Sequence, residues 1–148
     1  MVKEVSRFIY NPAYVIDGIV GKEAFLPPFK PQPYETSVSF HLHYPVDWGR
    51  GRAIGAGRRV PVRLIGSAEL EVHDIEVAHM THDDAGTGPY PAHANIKGWD
   101  EFSELVRYDQ ADALAQLASY EAAPEPIPVP KVVNVKAPSL LMKYAQQG

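Results

Sequence analysis

Apolar and polar residues alternate along residues 36–44. Val38, Phe40, Leu42 and Tyr44 fall on one face, and Ser37, Ser39, His41 and His43 on the other. A period of two marks a half-buried β-strand, because successive side chains point to opposite faces. Residues 5–10 read as an earlier short strand that Asn11-Pro12 ends in a turn. Residues 14–25 carry Gly18 and Gly21 and read as a hairpin. Between residues 60 and 80 the pattern predicts two strands. Leu70 and Val72 alternate with Glu69 and Glu71, while Ile75 and Val77 sit in the opposite phase, which asks for a bulge or turn near His73-Asp74. Residues 45–59 hold Gly49, Gly51, Gly55 and Gly57 and predict a loop, or a poor helix after Asp47, since each glycine costs a helix roughly 1 kcal/mol relative to alanine.

The best helical pattern spans residues 101–120. Phe102, Leu105, Val106, Ala113, Leu117 and Tyr120 recur at three- and four-residue spacings, with Asp100 as N-cap and Glu101 and Glu104 in the first turn. Prolines cluster at 27–33, 89–91 and 124–130 and exclude helix and central strand there. Beyond Val133, the residues Leu140, Leu141, Met142 and Tyr144 are too apolar for a solvated tail and predict an arm that docks on the domain or on a partner. The fold class expected is α+β: a single domain with an antiparallel sheet of about four to five strands packed by one main C-terminal helix. Residues 1–121 form the compact domain and residues 122–148 a proline-rich extended arm.

Composition narrows the function classes. The chain has 148 residues, 45% of them apolar and 22% charged, the profile of a globular domain with a substantial core. A net charge of -4 argues against a dedicated nucleic-acid binder. The absence of cysteine removes disulfides, thiolate metal sites and cysteine nucleophiles, and fits a reducing compartment. No run of about 18 apolar residues is present, and the first residues lack the apolar stretch of a signal peptide, so the expectation is a cytoplasmic protein with no membrane contact.

Candidate chemistry concentrates in two places. The segment from His93 to Trp99 packs a histidine, an asparagine, a glycine and a tryptophan ahead of the helix. His93 suits proton transfer near neutral pH, Asn95 can orient a substrate, and free N–H groups at a helix start can hold an anion. The same residues can equally fasten a loop, with His93 and Asn95 bonded to backbone, Gly98 turning the chain and Trp99 stapling the helix start. The second place is the arginine segment 50–63. Arg50, Arg52, Arg58, Arg59 and Arg63 occur with no acidic residue between Asp47 and Glu69. Guanidinium groups suit bidentate phosphate contacts, and interleaved glycines let backbone approach a phosphate. Arg50, Arg52, Arg58, Arg59 and Trp99 are therefore the ligand-binding candidates, and His93 and Asn95 the catalytic ones. No metal site or cofactor is expected. The His41-x-His43 pair and the His79 and His82 pair are only weak metal ligands by spacing. No nucleophile elbow, Walker loop or dinucleotide fingerprint is present.

The block His93-Ala94-Asn95-Ile96-Lys97-Gly98-Trp99 resembles a family of small, functionally uncharacterised bacterial proteins that carries a His-Ala-Asn-Ile-x-Gly-Trp block near its C-terminus. Ser6-Arg7-Phe8, the stretch from Ala24 to Pro28 and Glu35-Thr36-Ser37-Val38 are similar too, so the resemblance covers roughly residues 5–120, with residues 122–148 as an extension. It implies a bacterial or phage origin and no particular activity. A strand arginine, Arg7, followed later by Glu35 is also similar in outline to an ADP-ribosyltransferase arrangement, an enzyme alternative only. Two functional classes follow. One is a binding or interaction module that engages a protein partner or a second copy through residues 122–148. The other is a small enzyme, or a nucleotide or phosphate-ligand binder, with its site around His93, Asn95 and the arginine segment. The second requires His93, Asn95 and an arginine to share one cleft.

Overall fold

The computed structural model describes residues 3–28, 34–42, 46–83 and 93–125. Its first strand, β1 (Lys3–Ile9), is followed by the two-residue strands β2 (Val15–Ile16) and β3 (Ile19–Val20). These pair as a hairpin turned at Asp17-Gly18, as the glycine spacing predicts. Then come β4 (Thr36–Leu42), α1 (Trp48–Ala56), β5 (Gly66–Glu71), α2 (Val72–Val77), β6 (Thr81–Asp83), β7 (His93–Lys97), α3 (Glu104–Leu117) and β8 (Ser119–Ala122). The fold is α+β. Six strands form one antiparallel sheet in the order β6-β7-β4-β1-β5-β8, one more than the upper expectation, because β8 adds an edge after α3. The sheet therefore continues through Ala122, across the expected boundary between domain and arm. The arm itself, from residue 126, lies outside the described residues.

One face of the sheet holds the core. Val5 and Ile9 of β1, Val38 of β4, Ala68 and Leu70 of β5, and Ala94 and Ile96 of β7 pack with Ala111, Leu114 and Ala115 of α3. Phe25, Ile75 and Trp99 complete it. The second strand expected between residues 60 and 80 is instead the helix α2. The decisive spacing is Val72, Ile75, Ala78, three residues apart and all packed in the core, with Ile75 fully buried. The Asp74 carboxylate accepts the Glu71 backbone N–H at 3.0 Å and ties the first turn.

Helix α3 exists where its periodicity predicts, but shorter and in another phase. Its N-cap is Ser103, whose hydroxyl accepts the Val106 N–H at 3.2 Å, rather than Asp100. It buries Arg107, Ala111, Leu114 and Ala115, while Phe102, just before it, is 92% exposed and Leu105 is 74% exposed. Small alanines beside Leu114 let the helix approach the sheet closely, while Phe102 and Leu105 are left outward. Arg107 is retained in this face because its guanidinium donates to Asp100 O at 2.7 Å and lies 4.1 Å from the centre of the Tyr34 ring.

Candidate functional site

A split in the sheet creates the site. β1 and β4 pair from Lys3/Leu42 to Ser6/Ser39. Past that point they part company. β1 continues along β5 to Ile9, and Thr36–Val38 of β4 continues along β7. Backbone groups facing such a gap need other partners, and Arg7 supplies them. Its Nε donates to Ala24 O at 2.9 Å and its Nη1 to Ser37 O at 2.8 Å. Strand alternation puts Arg7 on the same face as the core residues Val5 and Ile9, so its guanidinium enters the gap from the core side.

The opposite face of the sheet is polar at this place. Ser6, Ser39 and His93 are direct cross-strand neighbours and form one row over β1, β4 and β7. Helix α1 packs beside that row through two glycines on one side of the helix. A Cβ on Gly51 would stand 2.8 Å from both Phe8 and Leu64, and a Cβ on Gly55 would stand 2.6 Å from Val62 O and 2.8 Å from the Tyr10 ring. These glycines thus serve close packing of helix on strand, not the approach of backbone to a ligand. Asp47 caps the helix by accepting the Arg50 N–H at 3.0 Å, which overcomes the low helix propensity of the segment.

Between the split, the row and α1 lies a cleft with a volume of about 350 Å³. Arg7, Ser37, Ser39 and His93 line it from the sheet, and Arg50 and Arg58 from α1 and the turn after it. Its apolar walls are Phe8, Pro28, Val38 and Ile54, with Tyr10 beside Arg58. Among the described residues no aspartate or glutamate lines it. The Tyr10 hydroxyl donates to Gly51 O at 2.7 Å, and the Arg58 guanidinium lies 4.4 Å from the Tyr10 ring centre, so ring and cation hold each other.

The electrostatics report the crowding of cations. Burial lowers the pKa of Arg7 from its ordinary value, and the charge of Arg58 lowers it further. The group stays protonated at neutral pH. Burial raises the Tyr10 phenol above its ordinary 10.0 and outweighs the opposing fields of Arg58, Arg7 and Arg50. One phenol thus feels all three guanidinium groups.

The structure brings together some of the expected residues and disperses others. His93, Arg50 and Arg58 share the cleft, and Arg7 joins them. Asn95 is on β7 in register with Ser37 and Asp83, but it does not line the cleft. Trp99 is buried, donates from Nε1 to Ile96 O at 3.1 Å, and so fastens the chain after β7 away from the cleft lining. Arg52 donates to Pro124 O and lines a different cavity beside Arg63, and Arg59 is exposed and lines neither. The segment 93–97 is a paired strand rather than a loop, and only Gly98, at φ 95, turns it toward α3. Asp100 accepts the N–H groups of Phe102 at 2.9 Å and Ser103 at 2.7 Å in the turn ahead of α3, and the Ser103 hydroxyl accepts the Val106 N–H at the helix start itself. Glu35 pairs with Lys97 at 3.3 Å instead of approaching Arg7.

For the metal candidates, His41 pairs Glu4 through backbone on β4, His43 lies outside the described residues, His79 is exposed and His82 sits on the edge strand β6. Among the described residues no three histidine, aspartate or glutamate side chains are grouped to hold a metal ion. No helix of the described residues is long and apolar enough to cross a membrane. Sequence reasoning missed Tyr10, Ser37 and Ser39 and reached Arg7 only by analogy. The polar face of the 36–44 alternation was the signal for the two serines. No family model matches the chain, and no curated protein or solved structure matches it either.

Proposed function

We propose that the protein binds a phosphate-bearing small molecule in the cleft between β1, β4 and α1. The observation that carries this reading is the convergence of Arg7, Arg50, Arg58 and His93 on one concavity that, among the described residues, no carboxylate lines. Like charges held together disfavour one another, and a bound dianion relieves that repulsion while accepting charge-assisted hydrogen bonds. Arg7 is anchored by two backbone carbonyls and is therefore preorganised, and Arg58 is held on Tyr10. His93 adds a ring N–H as a further donor. Asn95 lies outside the cleft and takes no part in this binding, and the resemblance of the His93–Trp99 block to the His-Ala-Asn-Ile-x-Gly-Trp proteins adds no chemistry to it.

The test is calorimetric titration with inorganic phosphate, pyrophosphate and a set of phosphate esters, on the wild type and on Arg58→Gln. Arg58 is the better variant because Arg7 also holds Ala24 and Ser37 in place. Saturable binding of at least one phosphate compound is expected, with affinity falling about tenfold in the variant, the worth of one charge-assisted contact. Failure of every phosphate compound to bind the wild type removes the proposal.

The exposed Phe102, Leu105 and Val106 favour a second reading, an interaction module that docks a protein partner at the start of α3.

A further inference from the structure

Resting on the phosphate reading of the same cleft, we infer that its ligand is a phosphate monoester whose organic part is a flat apolar group of aryl or nucleobase size. Size is the first argument. A cleft of about 350 Å³ lies at the lower end of the roughly 300–1,000 Å³ range of small-molecule sites, and is about ten times the ~30 Å³ share of one water. An isolated phosphate, with five heavy atoms, leaves most of that space unfilled.

The lining is the second argument. The polar groups of Arg7, Arg50, Arg58, Ser37, Ser39 and His93 form one part of the lining, whereas Phe8, Ile54 and Pro28 present apolar surface to the same space. An anion contacts only the first set. Covering the second requires carbon surface on the ligand, and that burial is the larger reservoir of affinity. The third argument is the Tyr10–Arg58 stack. The Tyr10 hydroxyl is tied to Gly51 O and its ring is covered by a guanidinium 4.4 Å away. A guanidinium plane fixed in this way is a platform for stacking a flat ring. With no acidic residue among the described residues lining the cleft, a cationic organic group is disfavoured. A nucleoside monophosphate and a simple aryl phosphate share the required chemistry.

The experiment compares wild-type affinities for inorganic phosphate, ribose 5-phosphate, phenyl phosphate and adenosine 5′-monophosphate under one buffer and salt condition. The expected result is that at least one of the two ring-bearing esters binds about tenfold or more tighter than both inorganic phosphate and ribose 5-phosphate. The better of the two names the source, a nucleotide or a plain aryl ester. Ile54→Ser, at a half-buried position of α1, is expected to weaken the ring-bearing esters by a clearly larger factor than inorganic phosphate, removing most of that advantage. Equal binding of all four compounds overturns the flat-group assignment and leaves the phosphate reading standing. A uniform loss across all four in Ile54→Ser also overturns it. If none of the four binds while pyrophosphate does, the monoester assignment fails and the phosphate reading survives; if pyrophosphate fails as well, both fall.

Discussion

Trp99 and Asp100 are neighbours that stabilise the fold by different physics. Trp99 does it by burial, with its one polar atom bonded to Ile96 O. Asp100 does it by charge. The N–H groups of Ser103 and then Phe102 hold its carboxyl below the ordinary 3.8. The folded value is depressed, so this stabilisation is complete above about pH 3.8 and is lost as pH falls through the lower folded value. Asp100→Asn is therefore expected to melt at a lower temperature than wild type near pH 6, with the gap closing as both are taken toward pH 3. Thermal melts across that range check it, and a constant gap at all pH values would show that the carboxylate charge plays no part. Reading Asp100 as a cap was legible from its place before an acidic, helical segment. That it serves the turn ahead of Ser103 was not, because the choice between two capping residues three apart depends on backbone angles.

The helices show how much a pattern carries and where it stops. Four glycines make 45–59 a poor helix by propensity, yet α1 forms, because packing against Phe8, Leu64 and Tyr10 rewards bare backbone on one side. The glycines are consequently unequal. Gly55→Ala pushes a Cβ to 2.6 Å from the carbonyl of Val62, which cannot swing away, and is expected to cost about 1–3 kcal/mol. Gly49→Ala meets only Asp47 Oδ1, at 3.6 Å, and is expected to stabilise by roughly 0.5 kcal/mol. Denaturant melts of the pair decide this, and equal effects would refute the packing argument. For α3 the existence of a helix was legible from apolar spacing and its buried face was not. Ala111 and Ala115 contribute little to any hydrophobic pattern, whereas Phe102 and Leu105 dominate it from the solvent side. Leu114→Ala is expected to cost about 2–5 kcal/mol, and Leu105→Ser less than about 0.5 kcal/mol, again by denaturant melts.

At the scale of the whole molecule the cleft belongs to no local segment. Arg7, Arg58 and His93 come from the beginning, middle and end of the described chain, and only the register Ser6/Ser39/His93 brings their strands side by side. Candidates within one segment, such as Arg50 and Arg58, were legible as a basic stretch free of acids. Their partners were not, because strand order is set by long-range pairing that periodicity does not encode. A net charge of -4 likewise conceals a local concentration of positive charge. The same strand order has a consequence for biosynthesis. β1 is translated before both of its neighbours, and at 5–20 residues per second the ribosome needs roughly 3–12 s more to deliver β5. Both edges of this strand, which carries Val5, Phe8 and Ile9, are open until β4 is delivered, and one edge stays open until β5 follows, a hazard for pairing with other nascent chains. Arg7, a charge pointing inward between Val5 and Ile9, makes such intermolecular pairing unfavourable until Ala24 and Ser37 arrive to receive it.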